Sequence, residues 1–209
     1  GLGCIYWHMV SKLLLAVQEN FFYAADSDVD PETLERLGAL YYRVREGLGF
    51  NKTPAEYGAF PTDPYSHTTG HSGARQPGMT GQVKEEIVTR FGELGVRVAN
   101  GAVSFEPGLL RRREFLAEPG TYRCLSVDGG WDDVDVPANG LAFSFCQVPV
   151  VYTLTDGDDE GIVVSLADGI ESRLGSLDLP AELSAELFDR NGRIRLLTVT
   201  VKTERLFTD

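Results

Sequence analysis

Residues 95–107 read GVRVANGAVSFEP. Val96 and Val98 stand before Asn100-Gly101, and Val103 and Phe105 stand after it. A two-residue hairpin turn of the favoured twist needs positive φ at both central positions, which Asn and Gly tolerate best, so this dipeptide is a strong hairpin signal. Apolar side chains at alternate positions give each arm one face for a core. The period of the chain changes at this point, from helical upstream to two downstream.

Upstream, residues 4–25 (CIYWHMVSKLLLAVQENFFYAA) carry two apolar stripes at helical spacing. One runs through Ile5, Met9, Leu13 and Ala16, the other through Val10, Leu14, Val17 and Phe21. Two stripes predict a helix largely enclosed by other structure, with a polar strip left through His8, Ser11, Lys12, Gln18 and Glu19. Asp30 and Pro31 are the cap and first-turn residue of a second helix, which runs to about Glu46 with Leu34, Leu37, Leu40, Tyr41 and Val44 inward. Gly47 and Gly49 end it. A third helix, from about Thr80 to Phe91, places Val83, Ile87, Val88 and Phe91 inward. Between the second and third, residues 50–80 have no period but hold Tyr57, Tyr65, His67, His71 and Arg75. A long aperiodic stretch of that composition reads as a functional loop rather than a disordered linker.

Downstream of the hairpin, strands are expected at Tyr122 to Val127, Asp133 to Val136, Leu141 to Gln147, Val150 to Leu154, Ile162 to Leu166 and Arg193 to Lys202. Turn clusters such as DGG and DGDDEG separate them, and a short helix from Pro180 to Phe188 interrupts them. The expected class is therefore α+β, with a helical segment over residues 1–95 and an antiparallel β-sandwich of about eight strands over residues 96–209.

Composition narrows the function. Apolar residues make up 43% of the 209, ample for a core. With 19 basic against 31 acidic side chains the net charge is −12, which opposes binding to phosphate backbones and anionic lipid, so neither nucleic acid nor membrane is an expected partner. The longest strictly apolar run, Leu13 to Val17, is far short of the ~20 residues of a membrane span, and a soluble, cytoplasmic setting is expected. Three widely spaced cysteines, Cys4, Cys124 and Cys146, suit buried free thiols better than a disulfide framework or a zinc site. The chain opens at Gly1 without Met and without a cap before an apolar stretch, as expected of a piece of a longer polypeptide.

Several motifs offer chemistry. The acidic turn Asp156 to Gly161 lacks the calcium-loop pattern, since the twelfth position from Asp156 is Ala167 where a bidentate Glu is needed. Around Asp128 to Asp135, Trp131 can either pack at a hairpin edge or stack on a sugar, and Arg111 to Arg113 reads as a solvated or salt-bridged strand end. His8, beside Tyr6 and Trp7, is either a hydrogen-bonded core residue or a ligand. The loop with Tyr65, His67, His71 and Arg75 has the aromatics and donors that hold polar ligands on a rigid frame. QPGMTGQVKEE, residues 76–86, sets loop glycines before a helix whose first N–H groups lack intrahelical partners, an arrangement that either binds an anion or simply turns a corner.

In order and spacing, GLGCIYWHMVSKLLLAVQE, ALYYRV, EYGAFPTDPYSHTTGHSG and MTGQVKEEIVTRFGELGVRVANGAVSFEPGLL resemble the end of a family 94 glycoside phosphorylase, the cellobiose and chitobiose phosphorylase type. The resemblance covers about residues 3 to 110. It implies the last helices of an (α/α)6 barrel, or toroid, leading into a C-terminal β-domain, within a branch of (α/α)6 carbohydrate-active proteins. In that family a His on a late inner helix and a Thr-Gly pair opening the last one bind inorganic phosphate; these fall on His8, Thr80 and Gly81. Trp7, Tyr65, His67, His71 and Gln76 would then line the sugar pocket.

The implied reaction is inverting cleavage of a glycosidic bond in an oligosaccharide or glycoside. No cofactor is required beyond phosphate as co-substrate, and the general acid lies elsewhere on the barrel. A missing N-terminal barrel segment, of the same polypeptide or a companion chain, is the implied partner, and the 209 residues alone should be inactive. Relatives of the barrel include hydrolases, in which water replaces phosphate and Glu85, Glu86 or Asp63 would be the candidate base. A different possibility is a non-catalytic carbohydrate-binding or structural β-module on a helical docking platform, with Trp131 and Tyr122 as stacking residues.

Overall fold

The computed structural model describes residues 2–27, 29–48 and 79–208, and of residues 2–8 and 79–83 it describes the backbone alone. The chain divides into two compact units, Gly1–Gly92 and Glu93–Asp209. The class is α+β. No helix among the described residues is long and apolar enough to cross a membrane.

In the first unit α1 (Leu2–Ala25) and α2 (Pro31–Gly47) pack against each other across a short connection, which makes them antiparallel neighbours. The Asp30 side chain accepts a hydrogen bond from the Thr33 amide at 2.9 Å, with Pro31 at the first helical position, as the sequence predicts. Tyr41 and Tyr42 are buried and meet edge to face, with centroids 5.2 Å apart. The third helix, α3 (Met79–Glu93), passes through Leu94 and Gly95 into the strands. Gly95 has φ +76, and a Cβ there would collide with the Glu106–Pro107 backbone, so this corner requires glycine.

The buried faces of α1 and α3 correct the expectation. On α1 the inward residues are Ser11, Leu14, Gln18, Phe21 and Ala24, while Met9 (60% exposed), Leu13 (52%) and Ala16 face outward. On α3, Thr89 is buried and Ile87 and Val88 are exposed. Leu40 of α2 is exposed as well. Periodicity located the apolar stripes, but a helix with two of them has more apolar surface than one neighbouring pair covers, and polar residues that find partners, as Gln18 and Thr89 do, can take the inner face.

The second unit opens with the hairpin of β1 (Val96–Ala99) and β2 (Ala102–Phe105), turned by Asn100 (φ 52) and Gly101 (φ 79). After a 3-10 turn at Arg112–Glu114 come β3 (Gly120–Leu125), β4 (Trp131–Val136), β5 (Gly140–Phe145), β6 (Val148–Thr155), β7 (Gly161–Leu166), β8 (Glu171–Leu174) and β9 (Asp178–Leu179). Helix α4 (Ala181–Asp189), β10 (Ile194–Lys202) and a 3-10 turn at Thr203–Arg205 follow. The strands form three sheets, β1-β2-β9, β3-β4 and β5-β6-β10-β7-β8. Ser184 of α4 ties the first of these, accepting from the Val103 amide and donating to the Leu179 carbonyl, both at 3.0 Å.

An all-antiparallel arrangement was expected; in the five-stranded sheet β10 lies between β6 and β7 and runs parallel to β6, with Leu197 opposite Val150 and Val201 opposite Leu154. The chain between β6 and β10 includes the three strands β7 to β9 and the helix α4, long enough for a crossover, whereas turn signals report only consecutive neighbours. β6 and β10 carry the core, with Val150, Tyr152, Leu197, Val199 and Val201 fully buried. Tyr152 Oη donates to the Leu94 carbonyl, fixing the start of β1 to this sheet, and burial pushes its phenol well above the ordinary value.

Candidate functional site

Of the residues expected to bind phosphate, Thr80 and Gly81 are the second and third residues of α3, so both lie in its first turn. That turn contains no acidic residue, and helix-start N–H groups have no intrahelical partner, so the positive end of the helix meets no opposing carboxylate from its own turn. Trp7 and His8 belong to the backbone of α1; their side chains, like that of Thr80, lie outside the described residues. Tyr65, His67, His71, Gln76 and Asp63 also lie outside them, as does most of the loop over residues 50–80.

Glu85 and Glu86, the possible hydrolase bases, are half-buried on α3, and their main-chain carbonyls accept Thr89 Oγ1 at 2.8 and 3.0 Å. Thr89 in turn offers its own carbonyl to Gln18 Nε2 of α1 at 2.7 Å, and the same amide lies 3.4 Å from Tyr41 Oη of α2. Gly92 leaves the room, since a Cβ there would strike the Gln18 amide. One buried amide thus connects all three helices and sets α3 against α1. Gln18 was read as part of an outer polar strip. Its flanking Leu14 and Phe21, one turn to either side on the same face, are the signal that places it inside.

Other motifs resolve more plainly. In the turn after β6, Asp158 pairs with Lys202 Nζ at 3.0 Å, Asp159 accepts from Thr155 Oγ1, and Glu160 pairs with Arg205 Nε at 2.6 Å. Asp158 and Glu160 staple the turn to the end of β10 and the 3-10 turn after it, beside a hollow of about 220 Å³ lined by Thr155, Asp156, Lys202, Thr203 and Glu204. Among the described residues no group of three or more His, Cys, Asp or Glu is placed to hold a metal ion. Of the run Arg111 to Arg113, expected to be a solvated or salt-bridged strand end, Arg112 and Arg113 are exposed, with Arg112 donating to Asn139 Oδ1 at 3.1 Å, while Arg111 is buried and bridges to Phe207. Cys124 is buried and Cys146 half-buried, both free thiols raised by burial.

Trp131 and Tyr122 stand on opposite faces of the β3–β4 ribbon and so form no common stacking surface. Tyr122 is half-buried with its hydroxyl 3.0 Å from Ser144 Oγ, whereas Trp131 is 61% exposed with the Arg123 guanidinium 5.3 Å from its ring centroid. Compared with models of protein families and with curated proteins, the chain matches none.

Proposed function

We propose that these residues are the C-terminal portion of a carbohydrate-active enzyme that cleaves glycosidic bonds, with α1 to α3 closing an (α/α)6 toroid and the strands forming its terminal β-sandwich domain. The observation that carries the reading is the start of α3 at Met79, which puts the Thr80-Gly81 pair in a first turn with no acidic residue. Such a turn attracts an anion through its N–H groups and dipole, and glycine allows close approach. The exposed apolar positions Met9, Leu13, Ile87 and Val88 give further support, since a toroid buries helices on more sides than one hairpin can.

In this reading phosphate occupies the helix start, held by the Gly81 N–H, the Thr80 hydroxyl and His8, and attacks the anomeric carbon as a general acid from another part of the barrel protonates the leaving oxygen. Trp7, Tyr65, His67, His71 and Gln76 line the sugar side. In the hydrolytic version water takes the place of phosphate, and Glu85, Glu86 or Asp63 serves as base. Thermal unfolding in phosphate against chloride of equal ionic strength tests the site. Saturable protection by phosphate, abolished in Thr80→Ala and in His8→Ala, is expected. Identical protection in Thr80→Ala would refute the phosphate seat and leave water as nucleophile. Without the rest of the barrel the purified chain should release no sugar from oligosaccharides, and robust turnover would sink the fragment reading.

A further inference from the structure

The β3–β4 ribbon is two-faced by register. Gly120, Tyr122 and Cys124 pair with Val136, Val134 and Asp132, and along this face Cys124 and Val136 are buried. The opposite face carries three cross-strand pairs, Thr121 with Asp135, Arg123 with Asp133 and Leu125 with Trp131, all six residues exposed. Arg123 lies 4.0 Å from Asp133 and also over the Trp131 ring, which holds the indole from one side.

An exposed indole on a strand is a large apolar area left in water, and the size of its surroundings limits what can cover it. Three residue pairs along two strands span about 15 Å by 10 Å, roughly 150 Å². A stable protein interface needs about 800 Å² per partner. The patch instead matches one or two sugar rings. A pyranose has an apolar C–H face that fits an indole, and its hydroxyls need the groups that frame Trp131 here: carboxylate acceptors at Asp133 and Asp135, donors at Arg123 and Thr121. With two carboxylates against one guanidinium the patch selects against anionic glycans, as the chain's net charge of −12 does against nucleic acid.

We propose that this outer face is a binding platform for neutral oligosaccharides, centred on Trp131. It uses no residue of the α3 site, so either can fail without the other. The test is tryptophan fluorescence of the full chain in a Trp7→Phe background, where Trp131 is the sole indole, titrated with cellohexaose, xylohexaose, maltohexaose and chitohexaose. At least one sugar should give a saturable change. By calorimetry its affinity should fall about tenfold or more in Trp131→Ala and stay unchanged in Tyr122→Phe and Thr80→Ala. No saturable response to any of the four sugars, or equal affinity in Trp131→Ala, would overturn the proposal.

Discussion

Glu160 is the residue whose surroundings most clearly tie charge to folding. Its side chain is 16% exposed, and its two oxygens meet Arg205 Nε and Nη2 at 2.6 and 2.7 Å while one also accepts the Lys202 amide at 3.2 Å. Arg205 holds the carboxyl below its ordinary range, with burial opposing and the Lys202 amide assisting. A carboxylate whose pKa falls on folding stabilises the fold above its unfolded value of about 4.3, and that contribution disappears as pH drops through the lower folded value. Arg205 is half open to solvent, which screens the pair, so Glu160→Gln should cost about 1 kcal/mol near pH 7. The gap between the two melting curves should close below about pH 4; a gap unchanged at pH 3 would mean that the ion pair is not its source. None of this pairing was legible beforehand, because DGDDEG announces a turn whatever its carboxylates meet. Gln18 was equally opaque: polarity alone assigned it outward, and only the Thr89 carbonyl of α3 and the Tyr41 hydroxyl of α2 turn it in.

Among the elements, those with a strong period or a strong turn were readable. α1, α2, α3, α4, the β1–β2 hairpin and six later strands all lie close to where apolar spacing and turn residues put them. β8 and β9 were not foreseen: ESRL and DL are too short and too polar for alternation to mark them, and their partners β7 and β2 define them instead. The β5–β6 turn is informative in the opposite sense. Phe145 faces Val148 across two residues, Cys146 at φ 51 and Gln147 at φ 62, the same backbone that Asn100-Gly101 adopts in the first hairpin, but with side chains poorly suited to it. Gln147 has only contacts at 3.5 Å, to the Ser126 carbonyl and from Arg190 Nη1. Replacing Cys146-Gln147 by Asn-Gly should therefore stabilise the protein by about 1 kcal/mol, read as a higher urea midpoint with unchanged slope. A lower midpoint would mean that those 3.5 Å contacts outweigh the relief of left-handed backbone.

At the scale of the molecule each unit has a core of its own and each leaves apolar side chains in water, among them Val98, Leu125, Trp131 and Ile170 in the second. The strands bury Val103, Phe105, Tyr152, Leu179, Leu197, Val199 and Val201 completely, and the chain entering β1 is held by Tyr152 on the Leu94 carbonyl and by the Glu106 amide on the Gly95 carbonyl at 2.7 Å. Every one of these contacts lies within residues 93–209. The helices bury Leu14, Phe21, Tyr41 and Tyr42 but leave Met9, Leu13, Leu40, Ile87 and Val88 at about half exposure or more. The separate core of the strands has a direct consequence for the residues 93–209 expressed alone. Their core is internal, so they should unfold in one cooperative thermal transition and keep the near-ultraviolet dichroism of buried Tyr152. In the full chain Met9→Glu with Leu13→Glu should leave the sheet transition unmoved, because the two substitutions alter a surface and not a core. A non-cooperative melt of residues 93–209 would place part of their stability in the helices and refute the division.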